Sequence, residues 1–216
     1  MRLRKVKHAK ELLSEDYPFV VSDPVSHSGK WKTLFPINNP IYLEIGCGKG
    51  KFITETAKRF PNLNFIAIER FASIFVRVVE KMLDDPLPNL LLINADAEHI
   101  DEMFGFGEIA GLYLNFSDPW PKRRQAKRRL SNPRFLDKYA ELLVDDAVVK
   151  LKTDNFGFFR YSLMTFNDHQ KFWIKKVNLD LAKSDINNVT TEFEERFTKM
   201  GNPIFYLEIV KKRSYI

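Results

Sequence analysis

Cysteine is almost missing from this 216-residue chain: Cys47 stands alone, so no internal disulfide can form. The histidines are few and scattered (His8, His27, His99, His169) and lack the spacing of a metal site. No stretch approaches the roughly 18 consecutive apolar residues of a membrane span. The basic N-terminus is followed by Glu11, Glu15 and Asp16 rather than by the apolar run of a secretory signal. These absences lead to the expectation of a cytoplasmic protein with no membrane partner and no metal. Internal repeats and low-complexity segments are absent too, and no Gly-Lys is followed by Ser or Thr, which excludes a Walker loop.

What is present suits a single soluble domain, with 44% hydrophobic residues, 29% charged residues and 19 Phe to fill a core. Charge is unevenly spread. Residues 1–10 carry five Lys/Arg, residues 122–129 carry six and residues 211–213 carry three, with no acid in any of these windows. Those fourteen of 34 positive residues leave 20 against 28 acids elsewhere. A chain that is acidic outside three basic clusters points to a local polyanion-binding surface, although any single run also reads as a solvated face.

Residues 17–40 hold four prolines and are expected to form an irregular lead-in, with the fold starting after it. From residue 41 short apolar runs alternate with helical stripes. Strands are expected at 41–45, 64–70, 90–95, 109–116, 147–153, 172–179 and 204–210. Helices are expected after the first strand, over the Phe71 to Met82 stripe, briefly after the third strand, from the Asn132-Pro133 cap onward, and near 156–166 and 191–200. The pattern predicts an α/β fold, a mostly parallel sheet of about seven strands with helices on both faces, in which a ligand lies beyond the carboxyl ends of the strands. The domain reading is 1–40 as the basic, proline-containing lead-in and 41–216 as one domain.

Glu44-Ile-Gly46-Cys-Gly48-Lys-Gly50-Lys51 sits where the first strand turns into the first helix. Glycines there let the backbone approach a ligand and expose helix N-terminal N–H groups. Lys51 occupies the place where a dinucleotide fingerprint needs a small residue, which weakens that reading. Glu69 closes the second strand, where a carboxylate can accept from ribose hydroxyls, and Asp96 is expected to end the third. Each acid alone also reads as a turn residue or helix cap; together they outline a nucleoside pocket. After strand four comes Asn115-Phe-Ser-Asp118-Pro-Trp120-Pro-Lys122, followed by the basic run Arg123, Arg124, Lys127, Arg128 and Arg129. This puts a carboxylate and an aromatic face next to a phosphate-seeking loop.

With Lys152-Thr-Asp154-Asn155 and Thr191-Glu-Phe-Glu194 added, these motifs closely resemble the bacterial tRNA (guanine-N7)-methyltransferase family, within the Rossmann-like class I S-adenosylmethionine-dependent methyltransferases. The resemblance runs from about residue 41 to the C-terminus. It implies methyl transfer from S-adenosylmethionine to N7 of a guanine in the variable loop of tRNA. It further implies cofactor binding by Glu44, Gly46, Gly48, Glu69, Asp96 and Asp118, with Asp118 also at the reaction centre. Lys122, Asp154, Thr191, Glu192, Phe193 and Glu194 would contact the substrate, and the basic run the RNA. The chain departs from the family at Gln125-Ala126, where many relatives have a histidine, and at Phe193, where Tyr is common. Asp154 also reads as a strand-end cap, Thr191 with Glu194 as a capping box, and Trp120 either as a base-stacking ring or as core. A methyltransferase with another RNA or small-molecule substrate, or a noncatalytic RNA-binding module, remain as alternatives. The first leaves the basic insertion unexplained and the second the nucleoside pocket.

Overall fold

The computed structural model describes Leu13 and residues 15–214, so the basic cluster of residues 1–10 lies outside the described residues. The strands are β1 Ile41–Ile45, β2 Asn64–Ile68, β3 Leu90–Ile93, β4 Ile109–Asn115, β5 Leu143–Thr153, β6 Phe172–Asn178 and β7 Phe205–Lys211. They form one sheet in the order β3-β2-β1-β4-β5-β7-β6. β1 to β5 run parallel, and β7 is antiparallel to both of its neighbours. The connections run outward from β1 to β3 and then return to β4 on the other side of β1. The carboxyl ends of β1 and β4 therefore flank the switch point where such sheets open a crevice.

The helices are α1 Lys51–Arg59, α2 Ala72–Asp84, α3 Ile100–Met103, α4 Pro133–Leu142, α5 Phe156–Asp168 and α6 Glu192–Lys199. Successive strand residues point to opposite faces, and β2 shows the consequence. Phe65 and Ala67 pack with Ile53, Phe75, Val78 and Val79 of α1 and α2, whereas Ile66 and Ile68 join Leu136, Tyr139 and Phe158 of α4 and α5. Both faces of the sheet are covered, which is why its central strands read as continuous apolar runs. Gly50, at φ +80°, brings α1 against α2: a Cβ there would lie 2.3 Å from Val78 Cγ2. Among the described residues no helix is long and apolar enough to cross a membrane.

The expectation that the fold begins only after the lead-in needs correction. The segment is irregular apart from short 3-10 turns at Val25–His27 and Trp31–Leu34, yet it is built into the domain. Val20 bridges Leu92 on the sheet edge, and Trp31, fully buried, packs in the core with Phe104 and donates from Nε1 to the Met103 carbonyl at 2.7 Å. Glu108 holds the same segment by accepting from the backbone N–H of Gly29 and of Trp31, both at 2.9 Å. Strand five also begins earlier than expected, at Leu143, because Asp145 and Asp146 interrupt the apolar pattern and Asp146 turns at φ +63°. Trp31→Ala is expected to cost about 3–5 kcal/mol. Urea unfolding followed by circular dichroism would check it, and a loss below about 1 kcal/mol would place the lead-in outside the cooperative unit.

Candidate active site

The cleft is lined by the glycine turn after β1, the end of β4 with Phe116, and the first turn of α6, and the end of β2 braces the glycine turn. The N–H groups of Gly46 and Cys47 donate to the Ile68 carbonyl at 2.8 and 3.0 Å, tying the turn to β2. Gly46 and Gly48 adopt φ +78° and +60°, where a side chain would be strained, and a Cβ at either would meet nothing within 4 Å. Space is thus left on the turn for a ligand. Glu69 braces it: one carboxylate oxygen accepts from Gly48 N–H at 3.1 Å, the other from Phe71 N–H at 2.9 Å. Burial raises its proton affinity, and those backbone donors oppose the rise. Burial also holds the Cys47 thiol well above its ordinary range, so it carries no nucleophile.

Glu44 is 1% exposed and accepts at Oε1 from Asn115 Nδ2 at 2.8 Å. Burial pushes its carboxyl up to about 7, against the pull of Asn115 and of the Lys152 charge. Its Oε2 and the Asn115 Oδ1 are buried with no hydrogen-bond partner, and both residues line a pocket with the glycine turn, Phe116, Thr191, Glu192 and Phe193. Two orphaned acceptors in a cleft ask for a donor-bearing, cationic guest.

Asp96 lies beyond the end of β3 and caps the Ala97–His99 turn, accepting from Glu98 N–H at 3.1 Å. The cap reading holds, and Arg70 joins Asp96 to the β4 loop. The Arg70 guanidinium lies 3.9 Å from Asp96 and 3.2 Å from Asp118, over the Phe71 ring at 4.4 Å. Sequence reasoning passed over Arg70; its one signal was its position beside Glu69 at a strand end. The Asp118 loop bends sharply, with Phe116 at φ +49° and Trp120 at φ +40°.

The basic run divides. Arg129 donates to the carbonyls of Pro119 and Trp120, each at 3.0 Å, and lies 4.2 Å over Tyr161, so it holds the loop's shape. Arg128 covers a face of Trp120 at 3.7 Å. Lys122, Arg123, Arg124 and Lys127 project as exposed cations.

Thr191 caps α6, and the expected capping box is present: Glu194 N–H donates to Thr191 Oγ1 at 2.9 Å and Glu194 accepts from the Thr191 N–H. Glu194 is moreover buried against Lys152, whose ammonium donates to it at 2.8 Å, to Asn188 Oδ1 at 3.0 Å and to the Val189 carbonyl at 2.9 Å. Its carboxylate is taken up within the protein, which leaves Phe193 and Glu192 as the outward-facing members of this segment. Glu192 pairs with Lys49 and Lys81, and Glu195 with Lys51. The helix is thereby seated on the glycine turn, and Lys51 has a purpose that the dinucleotide comparison did not reveal. Asp154 is half-buried and is not the cap of α5. Asn155 serves there, accepting from Phe158 N–H at 2.8 Å.

A family model described as a putative methyltransferase matches residues 38–207. The chain is 46% identical over 210 residues to the tRNA (guanine-N(7)-)-methyltransferase of Geobacillus sp. (strain WCH70), spanning 97% of this chain and 95% of that protein. It is 42% identical to the Bacillus subtilis (strain 168) protein of the same name, spanning 97% and 98%. Among solved structures it is similar to the 16S rRNA methyltransferase KamB, with a TM-score of 0.59 at 16% identity over 81% of this chain and 89% of that one. A geranyl diphosphate methyltransferase in complex with GPP and sinefungin gives a TM-score of 0.55 at 14% identity, over 88% and 76%. At such identities the likeness concerns the fold: the mostly parallel α/β sheet that the alternation of elements predicts, in the Rossmann-like class I methyltransferase form that the family resemblance implies.

The buried Glu44 carboxyl sets a pH dependence. Its folded value of about 7 lies above the ordinary 4.5, so its contribution is fully present below about pH 4.5 and is lost as pH rises toward 7. Wild type should therefore lose stability relative to Glu44→Gln over that window, by on the order of 3 kcal/mol. Urea-unfolding free energies of both proteins at pH 5 and pH 8 would measure it, and parallel profiles would show that Glu44 titrates normally.

Proposed function

The chain belongs to the tRNA (guanine-N(7)-)-methyltransferase family, and from that membership we propose that it transfers a methyl group from S-adenosylmethionine to N7 of a guanine in the variable loop of tRNA. The observation that supports the reading is one cleft lined by the glycine turn with Glu44, by Asn115 and Phe116 at the end of β4 and by Thr191–Phe193, with Glu69 bracing the turn and the Asp118 segment and its exposed cations following Phe116 directly in the chain.

The residues fit the cofactor. Glu44 Oε2 and Asn115 Oδ1 are orphaned acceptors suited to its amino-acid ammonium, the open backbone at Gly46 and Gly48 suits its sugar, and Glu69 is the acceptor for ribose hydroxyls. When bound it supplies a methyl group made electrophilic by the adjacent sulfonium. Guanine N7 offers an in-plane lone pair and bears no proton, so no residue need act as a proton-abstracting base. The protein's task is alignment, which can contribute on the order of 7–11 kcal/mol, and stabilisation of the positive charge that grows on the purine. Asp118 and Asp154 stand at adjacent strand ends, where they can accept from guanine N1–H and the exocyclic amine. Those hydrogen bonds strengthen as the ring becomes cationic. Because N7 lies in the deep groove of an RNA helix, the target base has to be unstacked. Lys122, Arg123, Arg124 and Lys127 then hold phosphates beside the cleft.

Incubation with labelled S-adenosylmethionine and tRNA, followed by aniline cleavage at N7-methylguanine, tests the reaction directly. A tRNA with 7-deazaguanine at the cleaved position should bind and accept no methyl, whereas full labelling of that tRNA would identify another acceptor atom. Asp118→Asn is expected to lose most turnover while keeping its affinity for tRNA, because phosphate contacts dominate binding; normal turnover would remove Asp118 from the reaction centre. Replacing Arg123, Arg124 and Lys127 with Ala should raise the KM for tRNA and flatten its log–log salt dependence by about 0.7 per lost phosphate contact. An unchanged slope would assign the run to the solvated surface.

A further inference from the structure

Arg70 stands where folding gives an arginine little reason to be. It follows Glu69 at the end of β2 and precedes Phe71, the residue that opens α2, so a cation is set beside the first turn of a helix, where the helix dipole favours an anion. Its two ion pairs are also poor sources of stability. The Asp96 and Asp118 side chains are 55% and 62% exposed, and pairs of that kind contribute little. The backbone that carries Arg70 is nevertheless firmly held. Glu69 N–H donates to the Ile93 carbonyl at 3.1 Å, Asn94 Nδ2 donates to the Glu69 carbonyl at 2.7 Å, and the Glu69 carboxylate accepts from Phe71 N–H on the other side.

From this base the guanidinium reaches the segment after β4. Nη2 donates to Asp118 Oδ2 at 3.2 Å, Nη1 lies 3.9 Å from Asp96 Oδ2, and the group sits 4.4 Å from the centre of the Phe71 ring and 5.8 Å from that of Trp120. Two nitrogens of one planar fork thus face two carboxylates from different strand ends, an arrangement that the point charge of a lysine does not match. Asp118 itself lies between two residues at positive φ, Phe116 and Trp120. The other anchors of this stretch hold its backbone: Phe116 N–H donates to the Lys152 carbonyl, and Arg129 donates to the carbonyls of Pro119 and Trp120. Among the described residues Arg70 is the one hydrogen-bond partner of the Asp118 carboxylate, and it takes Oδ2, which leaves Oδ1 open to a ligand.

Resting on the reading of Asp118 as a reaction-centre residue of a tRNA methyltransferase, we propose that Arg70 is a positioning residue that holds the Asp118 carboxylate in one orientation, so that Oδ1 meets the purine already aimed. Without Arg70 this largely exposed side chain turns freely, and its ordering falls within the reaction step, where preorganised charge is worth most. The same guanidinium ties the Asp118 segment to the end of β2, beside the residue that braces the glycine turn. The exposed cations that follow Trp120 are therefore set at a fixed place relative to that turn.

Arg70→Met keeps an unbranched stem and removes the fork and its charge. Its Tm should stay within about 2 °C of wild type, as expected of exposed ion pairs. With labelled S-adenosylmethionine and tRNA, its kcat should fall about ten-fold or more while the KM for tRNA stays within about two-fold, because alignment is lost and the phosphate contacts are kept. Arg70→Lys, which retains a charge near Asp118 without the fork, should fall between the two. In single turnovers with enzyme in excess, adding Arg70→Met to Asp118→Asn should change the rate by less than about two-fold, since the carboxylate that Arg70 positions is already gone. A wild-type kcat in Arg70→Met, with or without a raised KM, would overturn the positioning role, as would a loss of the same size in both backgrounds. Wild-type turnover in Asp118→Asn, or no methyl transfer to tRNA by the unaltered protein, would instead overturn the reading on which that role rests.

Discussion

A lysine ammonium removed from water needs a full set of acceptors, and the cleft is organised around one such group. Lys152 and Glu194 are 3% and 5% exposed, and the ammonium spends its donors on Glu194, Asn188 and the Val189 carbonyl. Burial lowers its proton affinity and the Glu194 carboxylate works against that. Desolvation makes a buried pair a poor source of net stability, but removing one partner strands a charge at a cost of about 3–5 kcal/mol. The pair therefore specifies a location. It places the first turn of α6 over the ends of β4 and β5, with Thr191 as cap and Glu194 serving both the cap and the lysine. From that point Glu192 and Glu195 reach Lys49, Lys81 and Lys51, so the first turn of α6 is seated on the glycine turn and on α2.

The same desolvated region governs the other side of the cleft. Glu44 shares its environment with Lys152, whose charge opposes the rise in its proton affinity. Glu44 Oε2 and Asn115 Oδ1 have no partner within the protein, and a buried acceptor left so is costly. The site thus combines interactions the protein makes with itself and acceptors that it leaves unpaired. Backbone strain follows this division. The positive φ values of Phe116 and Trp120 fall in the loop that joins the two halves, where anchoring by the Lys152 carbonyl and by Arg129 maintains a shape the loop would not keep alone.

Much of this was legible in the sequence because it depends on local chemistry. A strand's period of two, a helix's period of 3.6, the glycine turn and the Asn132 and Thr191 caps all act within a few residues, so the alternation of elements and the turn after β1 could be read directly. The glycine turn and the Thr191–Glu194 segment were identified from motifs; the structure sets Thr191, Glu192 and Phe193 in one pocket with that turn, and Glu69 against it. What the tertiary structure alone decided involves partners far apart in the chain. Lys152 meets Glu194 across 42 residues, Glu44 meets Asn115 across 71 and Trp31 meets the Met103 carbonyl across 72. No periodicity encodes such pairings, since they arise only when the sheet order sets distant strand ends side by side. For the same reason the six cations of residues 122–129 look equivalent as a run, and only packing against Pro119, Trp120 and Tyr161 separates the arginines that shape the loop from the cations left exposed.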